Sequence, residues 1–500
     1  MKGTSRLAGF WGSEVGRKAE VLSLAVVSAV AMVVFVLWSR HVYGFGFPLD
    51  DAWIHQTYAR NLASGLGWVY RPGVPSAGAT APLWVMLLAV GHLFRVLPLV
   101  WVWALGWATL TALGLLAVWG WRRLAPQSKR KLAFAAGLVL LTEWHMIWAS
   151  LSGMETALFS LIVFAALLAL TDSPPRWFTA AVLIAFGIWL RPEMVGVWGI
   201  AVLGWALAFY PKNLFSRQSL KALAVLVFVP SVGFGLLAAF NYHLSGTLWP
   251  NTFYAKQAEY AALLAQPLWK RWLREAAQPL VGVNAILVFG FLFCGWKSRF
   301  RQCGLPLLWA LGHITVYALR LPVVYQHGRY LMPVVPVLGF WGLLGWAEGL
   351  ERFSARVKWV AFRTLWASLG AAVLVFAALG ANSYARDVAF IQSEMVDTAL
   401  WGAEHLPQNT KVAIHDIGAW GYFTDFPIID LAGLISPDVV PVIRSEDGLR
   451  KFINAHHAEV LVTFPDWYPH LVAGLRALYF NPHGWGTKEG GTHMTVYHWK

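Results

Sequence analysis

Two adjacent carboxylates, Asp50 and Asp51, open the segment DDAWIHQTYARNL, and a paired acid is what general-base chemistry uses. Behind them stand His55, Tyr58 and Arg60, side chains able to orient a hydroxylated substrate. A plainer reading competes. An aspartate at this position caps a helix running from Ala52 to Leu62, where the helix dipole favours its charge. One aspartate meets that need, and two exceed it.

Further polar motifs follow between apolar runs. TEWHMIWASLSGMET supplies Glu143, His145 and Glu155; LRPE supplies Arg191 and Glu193. LWPNTFYAKQ supplies Asn251, Tyr254 and Lys256, and YQHGRYLMP supplies His327, Arg329 and Tyr330. Each has a structural explanation of its own. Glu155 can cap the helix after it, Arg191 and Glu193 can pair or snorkel, Lys256 can be solvated, and His327 can be a hydrogen-bonded structural residue. Taken jointly, several cations beside several carboxylates suit a phosphate group held next to a general base. The chain carries no P-loop, no dinucleotide-binding glycine motif followed by an acid, and no zinc spacing.

These residues must be positioned by membrane helices. Of 500 residues, 58% are hydrophobic and only 13% charged, and mean hydropathy is +0.55. That composition describes a polytopic α-helical membrane protein. The net charge of +14 sits in short loops between apolar runs, as the positive-inside rule expects, which argues against nucleic acid as a partner. Cys294 and Cys303 flank the basic KSRFR loop and predict neither a disulfide nor a metal site. Lys2, Arg6, Arg17 and Lys18 precede the first apolar run, which reads as a retained signal anchor.

A span needs about 20 apolar residues. The first, near 21–43, delivers Asp50 and Asp51 to the outer face. Residues 82–96, with His92 and Arg95, read as an interfacial helix, because a span there would place Arg122, Arg123, Lys129, Arg130 and Lys131 outside. Further spans fall near 99–120, 132–149, 155–171, 178–190, 194–210, 222–241, 281–296, 304–320, 331–347 and 359–380. They leave the inner loops carrying Lys212, Arg217 and Lys221, then Lys297, Arg299 and Arg301, then Arg352, Arg356 and Lys358. The total is about eleven spans. The organisation expected is a transmembrane domain over 1–380, with its first outer loop at 44–98, and an outer α/β domain over 381–500, where KVAIH and AEVLVT read as strands.

The motifs resemble those of the GT-C superfamily of membrane glycosyltransferases, and within it bacterial relatives of mycobacterial arabinofuranosyltransferases. The likeness runs in order through DDAWIHQTYARNL, the later PG and GATAPLW, SGMET, RPE, PNTFYAK, HGRYLMP and DIGAWGYFTDFPIIDLAGL. It implies a sugar donor on a polyprenyl monophosphate, a glycan, lipid or protein acceptor, surrounding membrane lipids, and a site on the extracytoplasmic face of a bacterial plasma membrane. Asp50 is the implied general base, with Asp51 as partner and Glu155 as the next acid. Arg191, Lys256, His327, Arg329 and Tyr330 would hold the donor phosphate; His55, Tyr58, Arg60, Glu193, Asn251 and Tyr254 would contact substrate. Direct displacement would invert the anomeric centre. Trp53, His55 and Thr57 depart from the Phe or Ser pattern of several relatives, which bears on the sugar used. No cofactor is implied; oligosaccharyltransferases of the superfamily bind a divalent metal, so that possibility stays open although no dedicated ligand set is visible. Rival readings are a protein O-mannosyltransferase, a non-catalytic glycan-binding protein, and a lipid-linked sugar flippase. The last would need polar groups through the bilayer depth rather than at helix ends on one face.

Overall fold

The computed structural model describes residues 14–211, 213–294 and 300–499. Lys2, Arg6, Lys212, Lys297 and Arg299 of the basic tail and loops lie outside the described residues. Among the described residues six helices are long and apolar enough to cross a membrane: Glu14–Val42, Pro98–Leu124, Pro192–Phe209, Arg217–Ser245, Phe300–Arg320 and Ala355–His405. Two bent pairs raise the number to eight if each is one span. They are Gln127–Leu141 with Trp144–Leu151, bent by 55°, and Leu268–Leu280 with Asn284–Phe293, bent by 111°.

The expected eleven are not reached by length. Thr156–Thr171 and Trp177–Leu190 are apolar helices of 16 and 14 residues, about 21–24 Å at the α-helical rise and short of a hydrocarbon core of about 30 Å. Val334–Gly349, also 16 residues, is buried almost throughout inside the bundle. Hydropathy counts apolar runs, but it does not see where a run breaks or which run is walled in by other helices. The helix over residues 82–96 is Pro82–Leu93, at 12 residues too short to cross, as the charge pattern required. Cys294 and Cys303 are buried, and neither is in a disulfide.

Between the first helix and Pro98 lies the segment that carries the acids. Helix Asp51–Ala63 leads into a short antiparallel hairpin, β1 (Val69–Arg71) with β2 (Val74–Pro75), and then into Pro82–Leu93. At Gly78 an added Cβ would meet the Tyr58 hydroxyl at 2.7 Å and the Leu434 carbonyl at 3.0 Å, so only glycine lets this loop close on the C-terminal region.

That region is α/β. Helix Ala355–Phe390 packs along Glu14–Val42, passes through a π-helical turn at Ile391–Val396 and ends in Asp397–His405. A five-stranded sheet follows in the order β4-β3-β5-β7-β6, with strands β3 (Val412–Ile414), β4 (Ile428–Asp430), β5 (Val460–Thr463), β6 (Arg476–Phe480) and β7 (Thr495–His498). β3 pairs in parallel with β4 and β5, whereas β7 is antiparallel to β5 and β6. The two central parallel strands are VAI and VLVT, buried along their whole length, as strands covered on both faces must be. They are the runs the sequence marks as strands. After β4 the chain folds around the buried Asp430, whose carboxylate accepts the N–H groups of Ala432, Gly433, Ile435 and Ser436 at 2.7–3.3 Å. This fixes the loop that carries Leu434 into the site.

Candidate active site

The acids sit where the first loop meets the C-terminal region. Asp50 precedes helix Asp51–Ala63 with helical backbone angles, and its side chain does not cap that helix. Instead its two carboxylate oxygens accept the N–H groups of Gly418 (2.6 Å) and Ala419 (2.8 Å), the first turn of helix Ile417–Phe423. The capping explanation therefore fails for the Ala52–Leu62 helix; Asp50 serves instead the N-terminus of a helix 368 positions away. Burial, followed by the nearby Asp416 carboxyl, pushes Asp50 up to about 8, against the pull of the two N–H donors.

Asp51, one residue on, points elsewhere. Its Oδ2 lies 3.3 Å from Lys256 Nζ and 2.5 Å from Arg329 Nη2. Burial alone would raise its pKa, but Lys256 and Arg329 outweigh that and hold Asp51 below the usual carboxylate range. The Tyr330 hydroxyl accepts from both cations, at 3.0 Å from Lys256 Nζ and 3.1 Å from Arg329 Nη2. Burial would raise this phenol too; Arg329 and Lys256 lower it. A second ion pair stacks on the same ring. The Arg191 guanidinium lies 5.1 Å from the Tyr330 ring centroid and pairs with Glu155 (3.3 Å) and Glu193 (3.8 Å). Glu193 also accepts a short hydrogen bond from the Tyr317 hydroxyl, and Tyr317 stacks on Tyr330 at 5.4 Å.

Two cavities meet at this cluster. The first, about 600 Å³, is lined by Asp51, His55, Glu155, Arg191, Glu193, Lys256, Arg329 and Tyr330. Its lining also includes the apolar side chains of Phe234, Trp249, Phe253, Val316 and Leu321. The second, about 870 Å³, is polar and aromatic: Tyr260, Tyr325, Trp467 and Tyr468 stand with Asp50, Glu259, Arg386, His415, Asp416, Arg444 and Glu489. Asp51, Ile54, Lys256, Arg329 and Leu434 belong to both walls. Buried polar atoms around the first cavity have no protein partner: His55 Nε2, Glu155 Oε2, Arg191 Nη1, Glu193 Oε2, and Nε and Nη1 of Arg329. Such atoms are costly unless a ligand satisfies them.

The structure thus brings together nine of the sequence-derived residues: Asp50, Asp51, His55, Glu155, Arg191, Glu193, Lys256, Arg329 and Tyr330. It does not bring in the others. His327 Nε2 pairs with Asp387 at 2.7 Å, and Asp387, on the second cavity's wall, also accepts from Trp148 Nε1; the imidazole itself lines neither cavity. Tyr58 is fully buried and bonds Ser76 at 2.5 Å. Arg60 donates to the carbonyls of Tyr422 and Gly421, tying its helix to Ile417–Phe423. Asn251 is buried in the first turn of Asn251–Glu259, where its N–H bonds the Ala77 carbonyl, and Tyr254 stands half-exposed against Phe253. Tyr317, His415, Asp416 and the Gly418–Ala419 amides escape the sequence reading. Tyr317 lies in an apolar helix, and backbone amides have no residue signature. The adjacent His415–Asp416 at the end of a strand was the one visible signal. His415 lies between Asp416 (3.3 Å) and Glu259 (3.5 Å); burial alone would lower it, but Tyr468, Asp416 and Glu259 raise it. Among the described residues no group of three or more His, Cys, Asp or Glu is arranged to hold a metal ion.

Residues 383–497 match a family described as Domain of unknown function (DUF8728). The search of curated proteins finds no match. Among solved structures, ArnT from Cupriavidus metallidurans bound to undecaprenyl phosphate is similar over 97% of this chain and 98% of its own, with a TM-score of 0.58 and 14% identity. The oligosaccharyltransferase of Archaeoglobus fulgidus in its apo form is similar over 89% of this chain and 70% of its own, with a TM-score of 0.58 and 12% identity. The same archaeal enzyme, AglB, in complex with an inhibitory peptide and a dolichol-phosphate, aligns at a TM-score of 0.55 and 14% identity, over 90% of this chain and 70% of its own. The chain has the fold of the GT-C membrane glycosyltransferases, with an α/β region at its C-terminal end.

Proposed function

We propose that this chain is an integral-membrane glycosyltransferase that moves a sugar from a polyprenyl monophosphate to a glycan, lipid or protein acceptor on the extracytoplasmic face of a bacterial plasma membrane. One observation carries the reading: Lys256 and Arg329, both bonded to Tyr330, stand on the wall common to two cavities, one of them also lined by Phe234, Trp249, Phe253, Val316 and Leu321. Two cations with unused donors suit a phosphate monoanion. These apolar side chains suit its isoprenoid, and the second, polar cavity suits a hydroxylated acceptor. The solved relatives carrying undecaprenyl phosphate and dolichol-phosphate lend support at the level of ligand class.

In this scheme the acceptor hydroxyl oxygen bonds to the anomeric carbon as the bond from that carbon to phosphate oxygen breaks. The electron pair stays on the phosphate, and the acceptor proton passes to a carboxylate. The transition state is oxocarbenium-like, and one direct displacement inverts the centre. The geometry favours exchanging the roles that the sequence suggests: Asp51 faces both cavities and takes the proton, while Asp50 holds the C-terminal region against the first loop. Lys256, Arg329 and Tyr330 meet the leaving phosphate, and Arg191 braces Tyr330 from the other side. His327, Tyr58 and Arg60 act as supports. The division at residue 380 assigns the second cavity's outer wall to the C-terminal part.

The test is transfer by membranes containing the protein, offered a panel of radiolabelled polyprenyl-phosphate sugars, with the labelled product identified. Transfer from at least one donor is expected. No transfer and no donor hydrolysis across the panel, with no binding of undecaprenyl phosphate, would overturn the reading. Orientation has its own check. A cysteine placed near Gly65 should react with an impermeant thiol reagent in intact cells and one near Lys129 should not; the reverse pattern would put the site on the inner face.

A further inference from the structure

Without a donor, the two cations already hold an anion, and it belongs to the protein. Asp51 Oδ2 sits on Arg329 Nη2 and Lys256 Nζ, the same two groups that donate to Tyr330. The Arg329 side chain is 4% exposed and the Asp51 side chain 28%, so the carboxylate is the more open member of the pair. Nε and Nη1 of Arg329 remain unpartnered. On its other sides Asp51 has Asp50 as its chain neighbour, and the His55 ring, whose Nδ1 lies 3.0 Å from the Asp51 carbonyl. No other cation touches its carboxylate among the described residues.

A carboxylate held by two cations is a poor base, yet it is the carboxylate that faces both cavities. Charge accounting resolves the conflict. A polyprenyl phosphosugar carries one negative charge, so with Asp51 it balances Lys256 and Arg329. As the glycosidic bond breaks, the phosphate gains a second charge. If Asp51 takes the acceptor's proton at that moment, the total is unchanged, and both cations can serve the phosphate alone.

We propose that Asp51 shares its countercharge with the donor phosphate, and that Lys256 and Arg329 pass from the carboxylate to the phosphate as the leaving group forms, so that Asp51 acts as a base only when a phosphate has claimed its cations. The proposal rests on the reading of the first cavity as the donor-phosphate site. It has a functional consequence. With no phosphate bound, Asp51 stays on its two cations and does not activate water or acceptor.

The test uses undecaprenyl phosphate, a dianion at pH 8, binding to the full-length protein in lipid nanodiscs. Asp51→Asn removes the internal competitor, and undecaprenyl phosphate should bind about 10- to 100-fold more tightly than to wild type, the scale of one or two charge-assisted contacts. Asp51→Glu keeps the charge and should stay near wild type. Lys256→Ala should bind more weakly. Equal or weaker binding by a folded Asp51→Asn would overturn the shared countercharge; with wild type binding and Lys256→Ala weakened, the donor-site reading would still stand. No binding by wild type would overturn both. Should Asp51→Asn fail to fold, wild type decides. Carbodiimide labelling of Asp51, located by mass spectrometry, should rise when undecaprenyl phosphate is present, because the displaced carboxyl can then be protonated. Unchanged or reduced labelling would overturn the proposal.

Discussion

The Asp50 carboxylate accepts the backbone N–H of Ala419 at 2.8 Å, joining the end of the first loop to the first turn of a helix in the C-terminal region. The neighbouring Asp51 turns the other way, onto Lys256 and Arg329. Adjacent residues on a helix start are rotated by about 100°, so one acid can fasten two parts of the chain while the next faces the cavities.

Asp50 should impose a pH dependence on stability. Folding raises its pKa from the ordinary carboxylate value to about 8. A group raised on folding stabilises fully below its unfolded pKa and loses that contribution as pH rises through the folded one. Wild-type thermal stability in detergent should therefore decline between about pH 4 and pH 8. Asp50→Asn should flatten that decline while keeping one acceptor for the Ile417–Phe423 cap. Melting curves across this range decide it; an unchanged slope in the variant would remove Asp50 as the cause.

The two cations should report on the donor. Arg329→Ala and Lys256→Ala each lose a charge-assisted contact of roughly 1.5–3 kcal/mol, about one to two decades in kcat/KM for the donor. Arg329→Lys should recover only part, because the planar fork is lost. Donor kinetics equal to wild type in both alanine variants would place the phosphate elsewhere.

Arg191 should matter first for folding. It is the partner of Glu155, 2% exposed, and of Glu193. Arg191→Ala strands two buried carboxylates and should cost about 3–5 kcal/mol. Combining Arg191→Met with Glu155→Gln should restore part of the loss, since the uncompensated charge is removed along with its partner. A melting temperature unchanged by Arg191→Ala would show that these ion pairs do not stabilise the fold.

Gly328 should be intolerant of substitution. Gln326, His327 and Gly328 take φ values of 57°, 58° and 63° in succession, and the His327–Asp387 pair holds this left-handed turn. An alanine at Gly328 would add about 1–2 kcal/mol of backbone strain. Its Cβ would also come within 2.7 Å of Gln278 Cβ. The turn aims Arg329, so Gly328→Ala should raise the donor KM; Gln278→Gly should relieve the steric part and leave the strain. Wild-type KM in Gly328→Ala would uncouple the turn from the site.

The sequence makes the helical membrane class, the strands β3 and β5 and most of the acids and bases visible, because each leaves a mark in residue type or hydropathy. Glu155, Arg191, Glu193, Lys256, Arg329 and Tyr330 meet as expected although they are spread over 176 positions. His327 does not, and no pattern could separate it from Arg329 two residues on: only the left-handed turn points the two side chains apart. The contrast between Asp50 and Asp51 is hidden for the same reason, since their difference lies in which partners a long-range fold delivers. The shortfall in spans comes from breaks and bends that hydropathy averages over.

The run from Ala355 to His405 extends over 51 residues, roughly 75 Å at the helical rise, and a bilayer core occupies about 20 residues of it. More than half therefore stands beyond the hydrocarbon, like a mast. Arg386, Asp387, Phe390, Ile391 and Met395, on the upper stretch, form part of the second cavity's wall, while Glu394 and Asp397 anchor the loop that follows β6 through Gly486 and Asn481. A mast of this length is a lever. Lipids too thin or too thick for its apolar foot tilt it, and the same angle is magnified at the cavity wall. Turnover in vesicles of short-, medium- and long-chain lipids should therefore pass through an optimum, with membrane thickness acting as a setting of acceptor access.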